Sequence, residues 1–342
     1  MIDAKAAREA MDKIIIRMTN PISNLDFAKW EWPQGVGLYG MLKLYRETRD
    51  ARYRDILDSW FRSRMEEGLP ERNVNTTAPM LTLIGLYELE GGEDRLRLCL
   101  EWAEWVMREM PRTRDGGLQH IVTGRRNDGQ LWVDTLYMTV LFLAKTGLVA
   151  GRREYVEESV RQFLTHVKYL ADRETGLWFH GWTFEGRHNF GRGHWGRGNC
   201  WFAAGVVDFI EMTGVEGGVK AFLVDALRDQ VEALAPLQDA DGMWRTVLDD
   251  ATSYKESSAT AGFGYGILKG VRLGLLPASF KPMGLRACEA VLSRVDPTGT
   301  VLEVSYGTPM GDDAEFYKRI PVAPMAYGQA LTVHLLGEAL KA

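Results

Sequence analysis

Two stretches, ARYRDILDSWFRSRMEE (residues 51–67) and WFAAGVVDFIEM (residues 201–212), set the architecture of this chain by their contrast. In the first, Tyr53, Ile56, Leu57, Trp60 and Phe61 return at helical intervals and leave the charges on the opposite face. The second is apolar almost all round, so as a helix it must be buried on every side. The same two kinds alternate along the rest of the chain. Charged amphipathic segments lie near residues 3–18, 51–67, 93–109, 152–171, 217–235 and 278–294. Apolar segments rich in Gly and Ala lie near 35–48, 76–90, 132–146, 199–213, 257–273 and 323–340. Strict alternation of buried and surface helices predicts an all-α fold, an (α/α)6 toroid of six inner and six outer helices. A generic helical solenoid needs the same buried faces and is the alternative. Gly35, Gly37, Gly40, Ala203, Ala204, Gly262, Gly264 and Gly266 are placed to let inner helices approach closely.

The links between these helices are lopsided. Those from inner to outer segments are short (TRD, GGE, TGLVAG, GVE, GLLPA), whereas those from outer to inner are mostly long, such as the stretch 172–198. If the helices run alternately up and down, the long links gather above the N-termini of the inner ring, and long loops on a rigid scaffold are the usual seat of a site. Four of them carry a turn signal (DGG, TGL, DGM, TGT) before a short β-prone stretch, about every 60 residues, which predicts small β-hairpins over one face of the ring. No linker or low-complexity tract interrupts the pattern, so residues 1–342 read as a single domain.

Composition narrows the function. The 342 residues are 46% hydrophobic and 25% charged, with a net charge of −5, which speaks against nucleic acid as a partner. Cys99, Cys200 and Cys288 are odd in number and form no CxxC pair, which suits a reducing compartment. The start MIDAKAAREAMDK lacks the apolar core of a secretion signal, and no uncharged apolar run reaches the roughly 18 residues of a membrane span. A cytoplasmic location with no membrane partner is the expectation.

A cup above six helix N-termini favours an anion, and the loops add Arg112, Arg114, Arg125, Arg126, Arg173, Arg187, Arg192 and Arg197. Arg197, set between tryptophans and glycines in GHWGRGNCW (193–201), is the one suited to act as a carboxylate fork. Trp30, Trp32, Trp132, Trp178, Trp182, Trp195 and Trp201 crowd the same loops, some as sugar platforms and some as core beneath the loops. Asp134 stands where a long loop enters an inner helix. It reads either as an N-cap or as a general acid whose pKa is raised in a dry cup beside Trp132. His180, His188, His194 and Cys200 share one stretch but lack metal-ligand spacing, and Cys200 fits a buried small residue as well as a nucleophile. No phosphate loop or GxSxG elbow occurs, and no cofactor or metal is implied.

Four motifs, WVDTLYM (132–138), LWFHGW (177–182), HWGRGNCW (194–201) and ESSATAGFGYGILKG (256–270), make the chain resemble glycoside hydrolase family 105, the unsaturated rhamnogalacturonyl hydrolases, over nearly its whole length. The resemblance implies the (α/α)6 toroid and removal of a 4,5-unsaturated uronic acid from the non-reducing end of a small anionic oligosaccharide left by a polysaccharide lyase. It implies Asp134 as the catalytic acid and base, Arg197 and His180 as the uronate holders, and Trp32, Trp132, Trp195 and Trp201 as walls of the sugar site. Some relatives, and family 88 nearby, place a second aspartate in the segment that here reads NVNTTAP (73–79), where Asn75 can at most hydrogen-bond. Three other readings stand beside this one: an unsaturated glucuronyl hydrolase acting on ulvan or glycosaminoglycan fragments, a sugar epimerase on the same toroid using His180 and His194, and a noncatalytic sugar-binding protein in which Asp134 is only a cap.

Overall fold

The computed structural model describes residues 3–20 and 25–342. Met1 and Ile2 of the start, and residues 21–24 of the first long link, lie outside the described residues. The outer helices are α1 (Ala4–Thr19), α3 (Ala51–Glu67), α5 (Glu93–Arg108), α7 (Arg153–Leu170), α9 (Gly217–Leu234) and α11 (Lys281–Leu292). The inner helices are α2 (Trp32–Thr48), α4 (Val74–Glu90), α6 (Leu141–Val149), α8 (Gly196–Thr213), α10 (Ser257–Arg272) and α13 (Ala326–Ala339). One short helix, α12 (Ala314–Lys318), sits in the last long link. Local chemistry sets several starts: Asp50 accepts from the Arg52 amide at 2.9 Å ahead of α3, and Asn73 forms a capping box with Thr76 ahead of α4.

Each inner helix packs on the next, and α13 packs back on α2, so the ring closes and the solenoid alternative is excluded. The last outer partner is the first helix, α1, which packs on α13. Inner faces are buried all round, as their composition requires: every residue of Gly196–Ile210 in α8 and Ser257–Gly270 in α10 is buried. Close approach needs the small residues, since a Cβ on Gly266 would lie 2.7 Å from the Ala203 carbonyl oxygen of α8. The predicted inner segment near 132–146 begins differently, with a widened π turn over Leu136–Val140 before α6, a distortion that recurs at functional sites.

Over the N-terminal face, the four turn signals build one repeated device. The amides of Thr113, Asp172, Asp239 and Asp296 donate to the carbonyls of Gly117, Leu177, Met243 and Thr300 at 2.8, 2.8, 2.9 and 2.9 Å. Gly116, Gly176, Gly242 and Gly299 take φ of 80°, 83°, 87° and 86°, a region that side chains disfavour. Each turn leans on the next outer helix around the ring: Gly176 on Asp229 of α9, Gly242 on Arg286 of α11, Gly299 on Lys13 of α1. The β structure within each loop is shorter than a hairpin, since three of the turns close on single bridges, Arg112 with Leu118, Ala171 with Trp178 and Val295 with Val301. The ladder instead joins two loops: β1 (Gln130–Trp132) pairs antiparallel with β2 (Gly181–Thr183), tying the Asp134 loop to the His180 loop. Among the described residues no helix is long and apolar enough to cross a membrane, and the three cysteines are buried and free.

Candidate active site

Among the described residues, two cavities are lined by opposite ends of the inner helices. The larger, about 720 Å³, lies at the C-terminal end of the inner helices around Lys43, Asp208, Tyr265 and Lys269. Its charges satisfy one another: Asp208, with a fully buried side chain, pairs with Lys43 at 2.6 Å and with Lys269. Burial alone would raise that carboxyl, but Lys269 and Lys43 outweigh it and hold Asp208 well below the usual range. Among the described residues, no buried side-chain polar atom lining this cavity lacks a partner.

The smaller cavity, about 210 Å³, lies at the N-terminal face and is walled by Trp32, Asn75, His120, Val122, Arg125, Asn127, Trp132, Asp134, Met138, Trp195, Arg197 and the segment Gly307–Pro309. Here buried polar atoms are left without hydrogen-bond partners: Asp134 Oδ2, Arg197 Nε and, just behind, His180 Nε2. A buried group without a partner costs about 1–3 kcal/mol, and the larger cavity carries no such cost in its lining. The helices position it directly, because Trp32 opens α2, Asn75 and Arg197 lie in the first turns of α4 and α8, and Trp195 is the α8 cap residue.

Asp134 lies between the β1 strand and the π turn. It does not cap the helix: the cap position is Thr135, with no side-chain capping bond, and Asp134 Oδ2 is free. His180 Nε2 stands 3.3 Å from that oxygen, close but not aligned as a hydrogen bond. The expected raised pKa is not found. Burial pushes the Asp134 carboxyl up, but the approach of His180 and then His120 pulls it further down, to below its ordinary value. His120 stacks on Trp132 at 4.2 Å and 8°, and burial pushes its pKa down to about 3, so it is neutral.

The family model described as Glycosyl Hydrolase Family 88 matches residues 6–342. The chain belongs to this family. It is 33% identical over 336 residues to the Bacillus subtilis (strain 168) protein named unsaturated rhamnogalacturonyl hydrolase YesR, covering 97% of this chain and 96% of that one. Among solved structures, a possible GH105 family member from Klebsiella pneumoniae subsp. pneumoniae MGH 78578 matches with 43% identity and a TM-score of 0.96, over 100% of this chain and 94% of that one. The unsaturated glucuronyl hydrolase of Bacillus sp. GL1, at 18% identity and a TM-score of 0.75 over 97% of this chain and 96% of that one, shares the fold. The protein is therefore a glycoside hydrolase.

Within this family 88 chain the structure gathers Trp32, Asn75, Trp132, Asp134, Trp195 and Arg197 around one cavity and moves two other expected residues behind it. Trp201 is fully buried and meets Trp32 edge-on at 5.8 Å, so it supports that wall instead of forming it. His180 is 3% exposed, stands behind Asp134 and packs on Trp195 at 4.3 Å. Arg197 borders the cavity, but its terminal nitrogens donate to Ser305, to the Tyr306 carbonyl at 3.1 Å and to Thr308 Oγ1 at 2.8 Å. Its Nε is buried and has no hydrogen-bond partner. His194 lies away from the cavity, between Asp249 at 2.7 Å and Asp172 at 3.1 Å, so the histidine pair of the epimerase reading does not assemble. Burial raises the Cys200 thiol well above its ordinary pKa, which removes it as a nucleophile. Sequence reasoning did not single out His120, Arg125, Asn127 or Gly307–Pro309 as site residues; of these only Arg125 carried a signal, as one arginine among eight.

Proposed function

We propose that the protein removes a 4,5-unsaturated uronic acid, an unsaturated galacturonate, from the non-reducing end of rhamnogalacturonan fragments left by a polysaccharide lyase. One observation carries this reading. Among the described residues the cavity wall holds a single carboxyl, Asp134, where an ordinary glycosidase needs a facing pair. A lone acid/base suffices for hydration of an enol ether. Asp134 gives its proton to C4, the positive charge that develops at C5 is shared with the ring oxygen, and water adds at C5 as the same carboxylate takes up its proton. The hemiketal opens at the C5–ring oxygen bond, the hemiacetal left at C1 collapses, and the alcohol of the next sugar departs. YesR, by its name, acts on unsaturated rhamnogalacturonyl substrates, which favours galacturonate as the uronate.

Trp32, Trp132 and Trp195 supply flat walls for the pyranose, and Asn75 and Asn127 supply hydrogen bonds. Arg125 is exposed at the cavity wall, and among the described residues its side chain makes no hydrogen bond or ion pair, so it pairs with the uronate carboxylate together with Arg197 Nε. Arg125→Ala is expected to raise KM about tenfold with kcat little changed, the pattern of lost uniform binding, read by steady-state kinetics.

The direct test follows the ultraviolet absorbance of the C4–C5 double bond during incubation with lyase digests of rhamnogalacturonan, ulvan and chondroitin. Fastest decay on the rhamnogalacturonan digest supports the reading. Preference for either of the other digests replaces the galacturonate assignment, and a flat trace on all three overturns the hydration chemistry.

A further inference from the structure

Tyr317 lies on α12, in the last long link, and its side chain comes to rest behind the acid/base of the cavity. The residue is 1% exposed, its ring stacks against Trp195 at 5.8 Å and 23°, and its hydroxyl accepts from the Gly311 amide at 3.1 Å. The same hydroxyl stands 2.8 Å from His180 Nδ1, while the other nitrogen of that ring stands 3.3 Å from Asp134 Oδ2. Gly311, Tyr317, His180 and Asp134 thus form a file of polar groups from the C-terminal loop to the reacting carboxyl.

The direction of the hydrogen bonds along that file follows from elementary constraints. A bare Nε2 lone pair facing a carboxylate oxygen in a dry site is repulsive, so Nε2 carries a proton. With the ring proton on Nε2, Nδ1 is an acceptor, and the hydroxyl at 2.8 Å is the donor in place. One oxygen lone pair of Tyr317 is already engaged by Gly311, and burial foremost, with the charges of Asp134 and Asp312, keeps the phenol protonated. Met310 Sδ, 3.7 Å away, is a weak rival for its proton. The remaining groups that face the pair do not supply another donor to Nδ1. His120 is held neutral by burial, Cys200 is kept as the thiol, and Arg197 is spent on the 305–308 segment.

We infer that Tyr317 is a positioning residue: by donating to His180 Nδ1 it holds the imidazole proton on Nε2, the nitrogen that stands 3.3 Å from Asp134 Oδ2. The inference rests on Asp134 acting as the proposed acid/base. Without the hydroxyl, the ring can move its proton to Nδ1 and present a lone pair to Asp134. The carboxyl proton is then drawn into a hydrogen bond to nitrogen and is no longer delivered to carbon.

Tyr317→Phe keeps the ring stack on Trp195 and removes only the donor. Nitrogen-15 spectra of the full-length protein labelled at histidine are expected to show His180 protonated at Nε2 in the wild type and as a tautomer mixture in the variant. Kinetically, kcat is expected to fall about tenfold with KM little changed, and the alkaline limb of the kcat profile to move up, as one pKa unit dictates. In a His180→Asn background the same substitution is expected to have no further effect. A wild-type His180 protonated at Nδ1 or at both nitrogens overturns the inference, as does an unshifted limb in Tyr317→Phe or an equal loss in the His180→Asn background. The spectra need no turnover. An inactive wild type would therefore count against the proposed function, and the tautomer assignment would still be decided.

Discussion

Asp134→Asn is expected to lower turnover of unsaturated oligosaccharides by about three orders of magnitude, with the fold and substrate binding retained, as loss of a general acid requires. The substitution is nearly isosteric, and Asp134 Oδ2 has no hydrogen-bond partner among the described residues, so little structural support is removed. An amide can neither deliver a proton to C4 nor take one from water. Equilibrium binding by calorimetry beside the absorbance assay separates the outcomes: retained binding with lost turnover is expected, and retained turnover would remove Asp134 from the chemistry. The pH dependence has a definite sign. Burial pushes the Asp134 carboxyl up but His180 and His120 together hold it low, and the uronate carboxylate entering the same cavity pushes it back up. The protonated form is the one used. The value of kcat is therefore expected to fall with rising pH above the pKa of the bound complex, approaching about tenfold per unit.

Arg197→Ala is expected to cost about 3–5 kcal/mol of stability and to abolish activity, a larger structural effect than any other change at the cavity. The guanidinium is 1% exposed and lies over Trp195 and Tyr327, each with its ring centroid at 4.6 Å. Its terminal nitrogens hold the carbonyls of Ser305 and Tyr306 and the hydroxyls of Ser305 and Thr308, so truncation strands several buried acceptors at once. The wall formed by Gly307–Pro309 would lose its anchor. Arg197→Lys keeps the charge but not the fork and is expected to fall between wild type and Ala in denaturant midpoint. If Arg197 served mainly as a uronate clamp, both variants would raise KM while denaturation midpoints stayed put, and that result would defeat the structural assignment.

Much of the site was visible in residue order, though not its inner logic. Trp32, Trp132, Asp134, Trp195 and Arg197 could be named because unusual residue types stood at the mouths of inner helices, and all five border the cavity. His180 and His194 could not be told apart, being the same residue type in one loop. One ends up behind Asp134 and the other between Asp172 and Asp249. Arg125 was one of eight loop arginines, and what distinguishes it is its place on the cavity wall, whereas Arg112, Arg114 and Arg126 find acidic partners.

Helix number, the inner and outer roles, and the end of the ring that bears the loops were all written in periodicity and link length, because burial on one face or on all faces is a local demand on composition. Closure of the ring, the engagement of Arg197 with a segment 108 residues away, and the file from Tyr317 to Asp134 were not. Whether a buried polar atom is paired or left open depends on partners delivered by distant elements, and a linear order of residues does not contain that contact. Asp134 Oδ2 is such an atom, and its place on a cavity wall is a fact of the tertiary structure alone.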